Sequence, residues 1–514
     1  MTAPALSRSF RPALAAAATL AAALAGCDLE WDKPDLSAPP PARFREAKPQ
    51  PQPPISGGRD FAAKFGSKEL TELVERALDD NQDLAAAIAR ITQADAQARV
   101  SSAALFPTVN MTDIARSTRV PGTTINVGSS STGFNPSTSN TGSQPAFDAR
   151  TFGFFQLALT ASYEVDFWGK NDSASKAARI LANVSRFDRD VVEISTVAAV
   201  LNSYFQVLTA QDRLRIAHQN VAIAQGVLDA INARLEAGTA TVLDTSQQET
   251  IVAQQRASIP PLEQTLRQTR NTLAVLLGQT PESMTFKGGS LAKLKFPQIA
   301  PGLPSEVLLR RPDVAEAEAR LASQEFSVLQ ARAAFFPSLT LTGLYGFQSS
   351  LLTTLIMRPD AIAWQIAGTL TQPVFDGWNL QGQYDLQKGR YSELAALYRK
   401  QILTALSDTE NALIAIRETD RQMKLLGVAV SAARRALDAT EMRLREGTID
   451  IVQLAQTQTT YFQTQDQLAV ARLSHFQAAT SLYQALGGGW SPTTREIEIA
   501  RSNAAYEADR GPWP

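Results

Sequence analysis

The sequence predicts a mainly α-helical chain that carries a membrane β-barrel part. Three observations lead there. No proline occurs between Pro145 and Pro260, or between Pro373 and Pro492. Proline is costly inside helices, so such gaps point to long uninterrupted helix. Before each gap, or just inside it, lie segments that alternate apolar and small polar residues with the period of a strand. The whole plan is also written twice along the chain, which constrains every later reading.

The duplication rests on landmarks at fixed offsets. At an offset of 230, Asp83 matches Asp313, Arg90 matches Arg320, and Phe106-Pro107 matches Phe336-Pro337. Further on the offset becomes 209. Arg234-Leu235 and Gly238-Thr239 then match Arg443-Leu444 and Gly447-Thr448, and Leu277-Gly278 matches Leu486-Gly487. The change of offset falls where the first copy has a longer loop, rich in Ser, Thr, Gly and Asn, over residues 120–148.

Within the first copy, Val184, Phe187, Val191, Ile194, Ala198, Leu201, Phe205 and Leu208 follow a 3-4 spacing. The pattern resumes at Leu214, Ala217, Val221, Ala224, Leu228, Ile231 and Leu235. This is a coiled-coil seam. A helix from Asp172 to Ala237 is roughly 100 Å long at 1.5 Å per residue. Gly238 and Gly447 suit the left-handed position that ends a helix, and a new helical pattern follows each. These are two helical hairpins. Pro260-Pro261 interrupts the return helix of the first copy only and predicts a bend there.

Four strands are expected. In Phe155–Tyr163 the odd positions are Phe, Leu, Leu, Ala and Tyr, and the even ones Gln, Ala, Thr and Ser. Residues 338–348 and 364–371 alternate alike. The strand from Thr108 is less regular, with Val109 and Met111 followed by a slip at Ile114. Aromatics cluster near strand ends: Phe152, Phe154, Phe167 and Trp168, then Trp364, Phe375 and Trp378. A soluble sandwich shares the alternation, but aromatic girdles and ten-residue strands favour a barrel. Four strands cannot close one, since about eight are the practical minimum. Exposed edges are not tolerated in lipid, so several copies must join through their sheets.

Composition excludes other classes. The 514 residues carry a formal net charge of −1, which argues against nucleic-acid binding by phosphate neutralisation. His218 and His475 are the only histidines, so a histidine-rich metal site is excluded and no catalytic residue or cofactor is expected. No phosphate loop, nucleophile elbow or zinc spacing occurs. Gly487-Gly488-Gly489 reads as a flexible end. No apolar run beyond residue 26 reaches the eighteen or so residues of a spanning helix.

The N-terminus has Arg8 and Arg11, then an Ala/Leu-rich stretch ending in Leu24-Ala25-Gly26-Cys27. This is a lipoprotein signal peptide over 1–26, with acylation expected at Cys27, the sole cysteine. A covalent N-acyl diglyceride on Cys27 would tether the exported chain to a membrane face. Eight prolines between Pro34 and Pro54 read as an extended, unpacked spacer over 27–58. The first repeat then covers 59–280, with strands about 108–118 and 152–165 and a helical hairpin over 172–277. A connector over 281–303 leads to the second repeat, 304–490, with strands about 338–348 and 363–373 and a hairpin over 378–486. A tail over 491–514 follows.

Several motifs together resemble one family. Arg310-Arg311-Pro312-Asp313, the Ala-Ala-Phe-Phe-Pro-Ser-Leu run at 333–339, Gln372-Pro373-Val374-Phe375-Asp376-Gly377 and the Arg-Leu-x-x-Gly-Thr turns are similar to those of TolC-like outer membrane factors. The resemblance is to the lipoprotein branch that serves resistance–nodulation–division efflux systems. It implies a homotrimer with a twelve-stranded barrel, four strands per subunit, and a periplasmic α-barrel of coiled coils. It also implies an equatorial region, a periplasmic adaptor and an inner-membrane pump as partners. The two hairpin turns would form a gated periplasmic tip. That places Gly238, Thr239, Leu243 and Asp244 at one turn, and Gly447, Thr448, Ile449, Val452 and Gln456 at the other. Family members often carry an acid where Gln456 stands. Asp244 reads equally as a charge complementing a helix N-terminus.

Asp28 resembles an inner-membrane retention signal, but the barrel argues for the outer membrane. The function so implied is a passive exit duct for drugs or other small toxic compounds. Two alternatives stay open: a channel for type I protein secretion, and a non-conducting periplasmic coiled-coil lipoprotein or adaptor.

Overall fold

The computed structural model describes residues 31, 33–34, 41, 43–45, 57–120, 150–299 and 302–491. The expected signal peptide, Cys27, Asp28, residues 121–149 and the tail beyond 491 lie outside the described residues. The chain divides into two compact units. One holds Gln97–Ala178 and Gln324–Gly389; the other holds Asp32–Ala96, Arg179–Ser323 and Arg390–Pro514.

The first unit contains a four-stranded antiparallel sheet, ordered β1 (Thr108–Val120), β2 (Arg150–Val165), β3 (Ser338–Ser349) and β4 (Ile362–Thr371). The register carries the alternation of the sequence across every strand. Val109 and Met111 lie opposite Ala161 and Leu159. Leu157, Leu159 and Tyr163 lie opposite Phe347, Tyr345 and Leu341. Tyr345, Gly343 and Leu339 lie opposite Trp364, Ile366 and Leu370. Side chains of directly opposed residues share a face, so these residues make one apolar surface. The reverse face carries Asn110, Thr112, Thr160, Ser162, Thr340, Thr342, Gln365 and Thr369, with Ile114, Phe152, Phe154 and Leu344 as large apolar exceptions.

The break in alternation at Ile114 is carried into the sheet without a shift of register. β1 pairs with β2 residue for residue, which puts Ile114 opposite Gln156 on the polar face and Asp113 opposite Leu157 on the apolar one. Thirteen consecutive pairs hold the ladder straight, and their hydrogen bonds outweigh two misplaced side chains on an edge strand.

The helices are α1 (Gly58–Ala63), α2 (Lys68–Asp80), α3 (Gln82–Ser102), α4 (Lys170–Glu236), α5 (Val242–Ala257) and α6 (Ile259–Leu276), then α7 (Pro304–Leu309), α8 (Pro312–Ala333), α9 (Asn379–Arg445) and α10 (Ile451–Ala485). Both α4 and α9 run for 67 residues. At Pro260-Pro261 the return helix is interrupted by one residue, Ser258, which keeps right-handed backbone at φ −74° and ψ −19°. Ser258 ends α5, and the prolines occupy the first turn of α6, where a missing N–H costs nothing.

The second unit has its main core where α4 meets α1, α2, α6 and α10. Phe61, Phe65, Leu70, Leu201, Phe205, Leu273, Leu277 and Tyr483 are all fully buried there. Phe61 stacks on Tyr483 at 4.4 Å. Most of the seam is buried, and Val197, Val200, Tyr204 and Val207 are buried beside it. This wider stripe gives α4 an 18-residue window of mean hydropathy 1.4, apolar enough by length and composition to cross a membrane. That corrects the expectation that nothing past residue 26 reaches the threshold. The stripe packs against other helices, and 56% of the window is buried.

Two further expectations are revised. The proline-rich segment is not simply unpacked: Phe44 is 4% exposed, set among Val307, Ala412, Leu482, Ala485 and Leu486. Nor is Gly487-Gly488-Gly489 a loose end. All three have positive φ, and a side chain on Gly487 would collide with the Arg310 carbonyl. The glycines make a packed reversal that delivers the Trp490 indole, whose N–H donates to Asp190 at 2.9 Å. His475 is buried and stacks on Phe296 at 3.9 Å, with its Nδ1 3.1 Å from the Thr419 hydroxyl. Burial pushes its pKa down, so the ring is neutral near pH 7 and fills space.

Candidate channel tip and barrel sheet

The two hairpin turns are built alike. Gly238 has φ +74° and Gly447 φ +73°. Gly238 N–H donates to the Leu235 carbonyl at 2.9 Å, and Thr239 N–H to the Arg234 carbonyl at 2.8 Å. Gly447 and Thr448 make the same pair of bonds to Leu444 and Arg443, each 3.0 Å. This double bond closes a helix C-terminus, and it needs a residue tolerant of left-handed backbone. The hydroxyls of Thr239 and Thr448 donate to the same Arg234 and Arg443 carbonyls, each at 3.1 Å. Arg234 ties the turns together, its Nη1 donating to the Leu444 carbonyl at 2.8 Å.

The helices that follow are capped in different ways. Thr241 and Asp244 form a reciprocal capping box: Asp244 N–H donates to Thr241 Oγ1 at 3.3 Å, and Thr241 N–H to Asp244 Oδ2 at 2.7 Å. The Thr241 backbone N–H, then its hydroxyl, then Arg234 hold the Asp244 carboxyl below the usual carboxylate range. Its contribution is therefore complete above the ordinary aspartate pKa and fades as pH falls through the lowered value. At offset 209 the equivalents of Thr241 and Asp244 are Asp450 and Gln453. Asp450 is itself the cap and accepts from Gln453 N–H at 3.1 Å. The carboxylate has moved from the third helical residue to the cap.

The remaining tip residues sort by exposure. Leu243, Val452 and Gln456 are exposed, and Ile449 is half-buried. Beneath them Ile231, Ile251, Leu437, Ile451 and Leu454 form a small core shared by α4, α5, α9 and α10. Val452 and Gln456 line a groove of about 570 Å³ with Gln247, Thr250, Gln254, Thr459 and Gln463. The polar part of the lining is amide and hydroxyl, Ile251, Val452 and Ala455 are apolar, and no lining residue is charged. Asp244 does not line that groove.

Sequence reasoning missed a buried amide pair in this region. Gln248 and Gln458 are both 0% exposed. Gln248 Nε2 donates to the Ala224 carbonyl at 2.9 Å and to Gln458 Oε1 at 3.2 Å. Polar residues at seam positions carry no periodic signal of their own. Among the described residues no group of three or more His, Cys, Asp or Glu side chains could hold a metal ion.

A sheet with an exposed apolar face and two long hairpins is the arrangement of outer membrane exit channels. The fold matches that of the OprN outer-membrane channel with a TM-score of 0.78 and 25% identity, covering 90% of this chain and 98% of that one. It matches the CmeC channel of Campylobacter jejuni with a TM-score of 0.79 at 20% identity, over 93% and 99% of the two chains. The pyoverdine export outer membrane protein OpmQ of Pseudomonas aeruginosa is 36% identical over 461 residues, 88% of this chain and 94% of that protein. The probable outer membrane lipoprotein SilC of Salmonella typhimurium is 29% identical over 91% of this chain and 96% of its own length. Residues 73–279 and 303–488 match the outer membrane efflux protein family, and the chain belongs to it. It is an outer membrane efflux channel protein.

Proposed function

We propose that three copies of this chain form a passive exit duct for small toxic compounds. Each copy would contribute four strands to a twelve-stranded barrel, and the paired hairpins would form a periplasmic tube. The observation that carries this is the sheet. Ile366, Trp364 and Leu370 are 81%, 70% and 67% exposed on its apolar face, while the other face is mostly small, amidic or hydroxylic. One face suits lipid and the other a water-filled lumen. The order of short helices, two strands, a 67-residue helix and a return helix occurs twice, in support of an internal duplication.

Acylation at Cys27 would add a lipid anchor, and Phe44 would hold the linker near its root. The tube would dock through its tip to a periplasmic adaptor and an inner-membrane pump. Selection would rest with the pump, since a neutral lining discriminates weakly. Gly238, Thr239, Leu243, Asp244, Gly447, Thr448, Ile449, Val452 and Gln456 would form the tip, with Asp244 locking the shape of its turn through the capping box.

Deletion of the chain, followed by a survey of toxic compounds retained by the cells, tests the assignment. At least one compound is expected to accumulate, and accumulation should reverse when the chain is restored. Unchanged retention across the survey would remove the efflux reading.

A further inference from the structure

The polar face of the sheet is not uniform. Ile114, Phe152 and Phe154 break its run of amides and hydroxyls near the end where β1 stops and β2 starts. The register gathers them around one charge. Arg116 lies directly opposite Phe154, Phe152 lies opposite Thr118, and Ile114 lies opposite Gln156, all on the same face. Opposed residues have Cβ atoms about 4.5–5.5 Å apart and diagonal neighbours about 7–8 Å, so these side chains form one patch. Arg116, Ile114 and Phe152 are exposed, Phe152 by 55%, while Phe154 and Gln156 are half-buried.

The charge has no counterpart beside it. Among the described residues Arg116 makes no ion pair. The other charged side chain described on that face is Glu164, opposite Thr340. It stands ten residues along β2 from Phe154, about 33 Å at 3.3 Å per residue, and is paired with Lys170. Asp113 and Arg119 sit on the apolar face. The segments that join the strands cancel in sequence, Asp148 with Arg150 in the first and Arg358 with Asp360 in the second.

A guanidinium bounded by two phenyl rings and an isoleucine suits one class of solute. The planar fork donates to the oxygens of a carboxylate or phenolate. The rings and the isoleucine take up the flat apolar body attached to it. A small hydrated anion gains only the first of these contacts. An aromatic cation gains only the second and is repelled by the charge.

We infer that Arg116, with Phe152, Phe154 and Ile114, is a station on the duct wall for anionic aromatic solutes. This rests on the reading above that the polar face lines a water-filled lumen. It adds a charge preference to a lining that is otherwise neutral, and leaves the choice among such solutes to the pump.

The test is the current carried by the full chain in planar bilayers under a salt gradient, with 1-naphthoate, acetate and 1-naphthylmethylammonium as probes. 1-Naphthoate is expected to halve the current at a concentration at least tenfold below that of either other probe. Arg116→Gln should raise that concentration at least tenfold and move the reversal potential toward cation preference. The move should be larger in 0.1 M than in 1 M salt, because the screening length falls from about 10 Å to about 3 Å. Arg116→Lys keeps the charge, so it should hold the reversal potential and weaken the block. Phe154→Ala should likewise weaken the block alone. A conducting chain blocked equally by 1-naphthoate and acetate, or blocked equally with and without Arg116, overturns the station and leaves the duct intact. A folded, inserted chain that conducts nothing overturns the duct, and the station with it.

Discussion

Replacing Arg311 by methionine is expected to destabilise the helical unit by about 3–5 kcal/mol, the cost of breaking a buried ion cluster from one side. The guanidinium side chain is 7% exposed. It donates to Asp313 at 2.6 Å and to Asp408 at 3.2 Å. It also donates to the Ala485 carbonyl at 3.1 Å, one of the last carbonyls of α10. Removal leaves Asp313 with the Gln401 amide at 2.7 Å and the Val314 N–H at 2.9 Å, and leaves the Ala485 carbonyl to the longer 3.4 Å bond from the Thr409 hydroxyl. Lysine should not rescue the loss, because one ammonium cannot reach both carboxylates and a carbonyl in the planar fork that arginine presents. Asp408→Asn should cost less than about 1 kcal/mol, since that side chain is 47% exposed and solvent screens the pair. Unfolding midpoints of the detergent-extracted variants check this. Equal losses for the two substitutions would mean that Arg311 does not organise the junction.

Ile366→Lys is expected to block membrane insertion, and Gln365→Lys to leave it nearly intact. The two residues are neighbours on β4, both exposed, and they differ in face. Ile366 lies opposite Gly343 on the apolar side, and Gln365 opposite Leu344 on the other. A lysine on the lipid side of a barrel costs about 2–4 kcal/mol near the bilayer centre, whereas a lumen lysine stays in water. The fraction of each variant found in outer membranes as a folded species gives the answer. Equal tolerance would remove lipid as the partner of the apolar face.

Local patterns made much of this fold legible. Alternation in Phe155–Tyr163 sets the faces of the sheet because the strand period is two. The lack of proline reads out as two 67-residue helices. Gly238 and Gly447 mark turns because few other residues accept positive φ. Features that depend on distant partners were not legible. Phe44 sits in a run whose eight prolines argue for extended chain, and one aromatic docking in a distant cleft leaves no periodic trace. Gly487-Gly488-Gly489 has the composition of a flexible end, and only the Arg310 carbonyl packed against it shows why side chains are absent. Asp113 reached the apolar face because a long ladder fixed the register against the preference of one side chain. At the tip, Thr241 and Asp244 were open to reading as a capping box from their spacing, whereas the Gln248–Gln458 pair needed both hairpins in place.

The native mass of the full chain, extracted in mild detergent and measured intact, addresses most directly whether one sheet closes by itself. Three copies per particle is the expected result, because four strands leave β1 and β4 unpaired at the edges. A stable particle of one copy that still conducts ions across a bilayer would contradict the account.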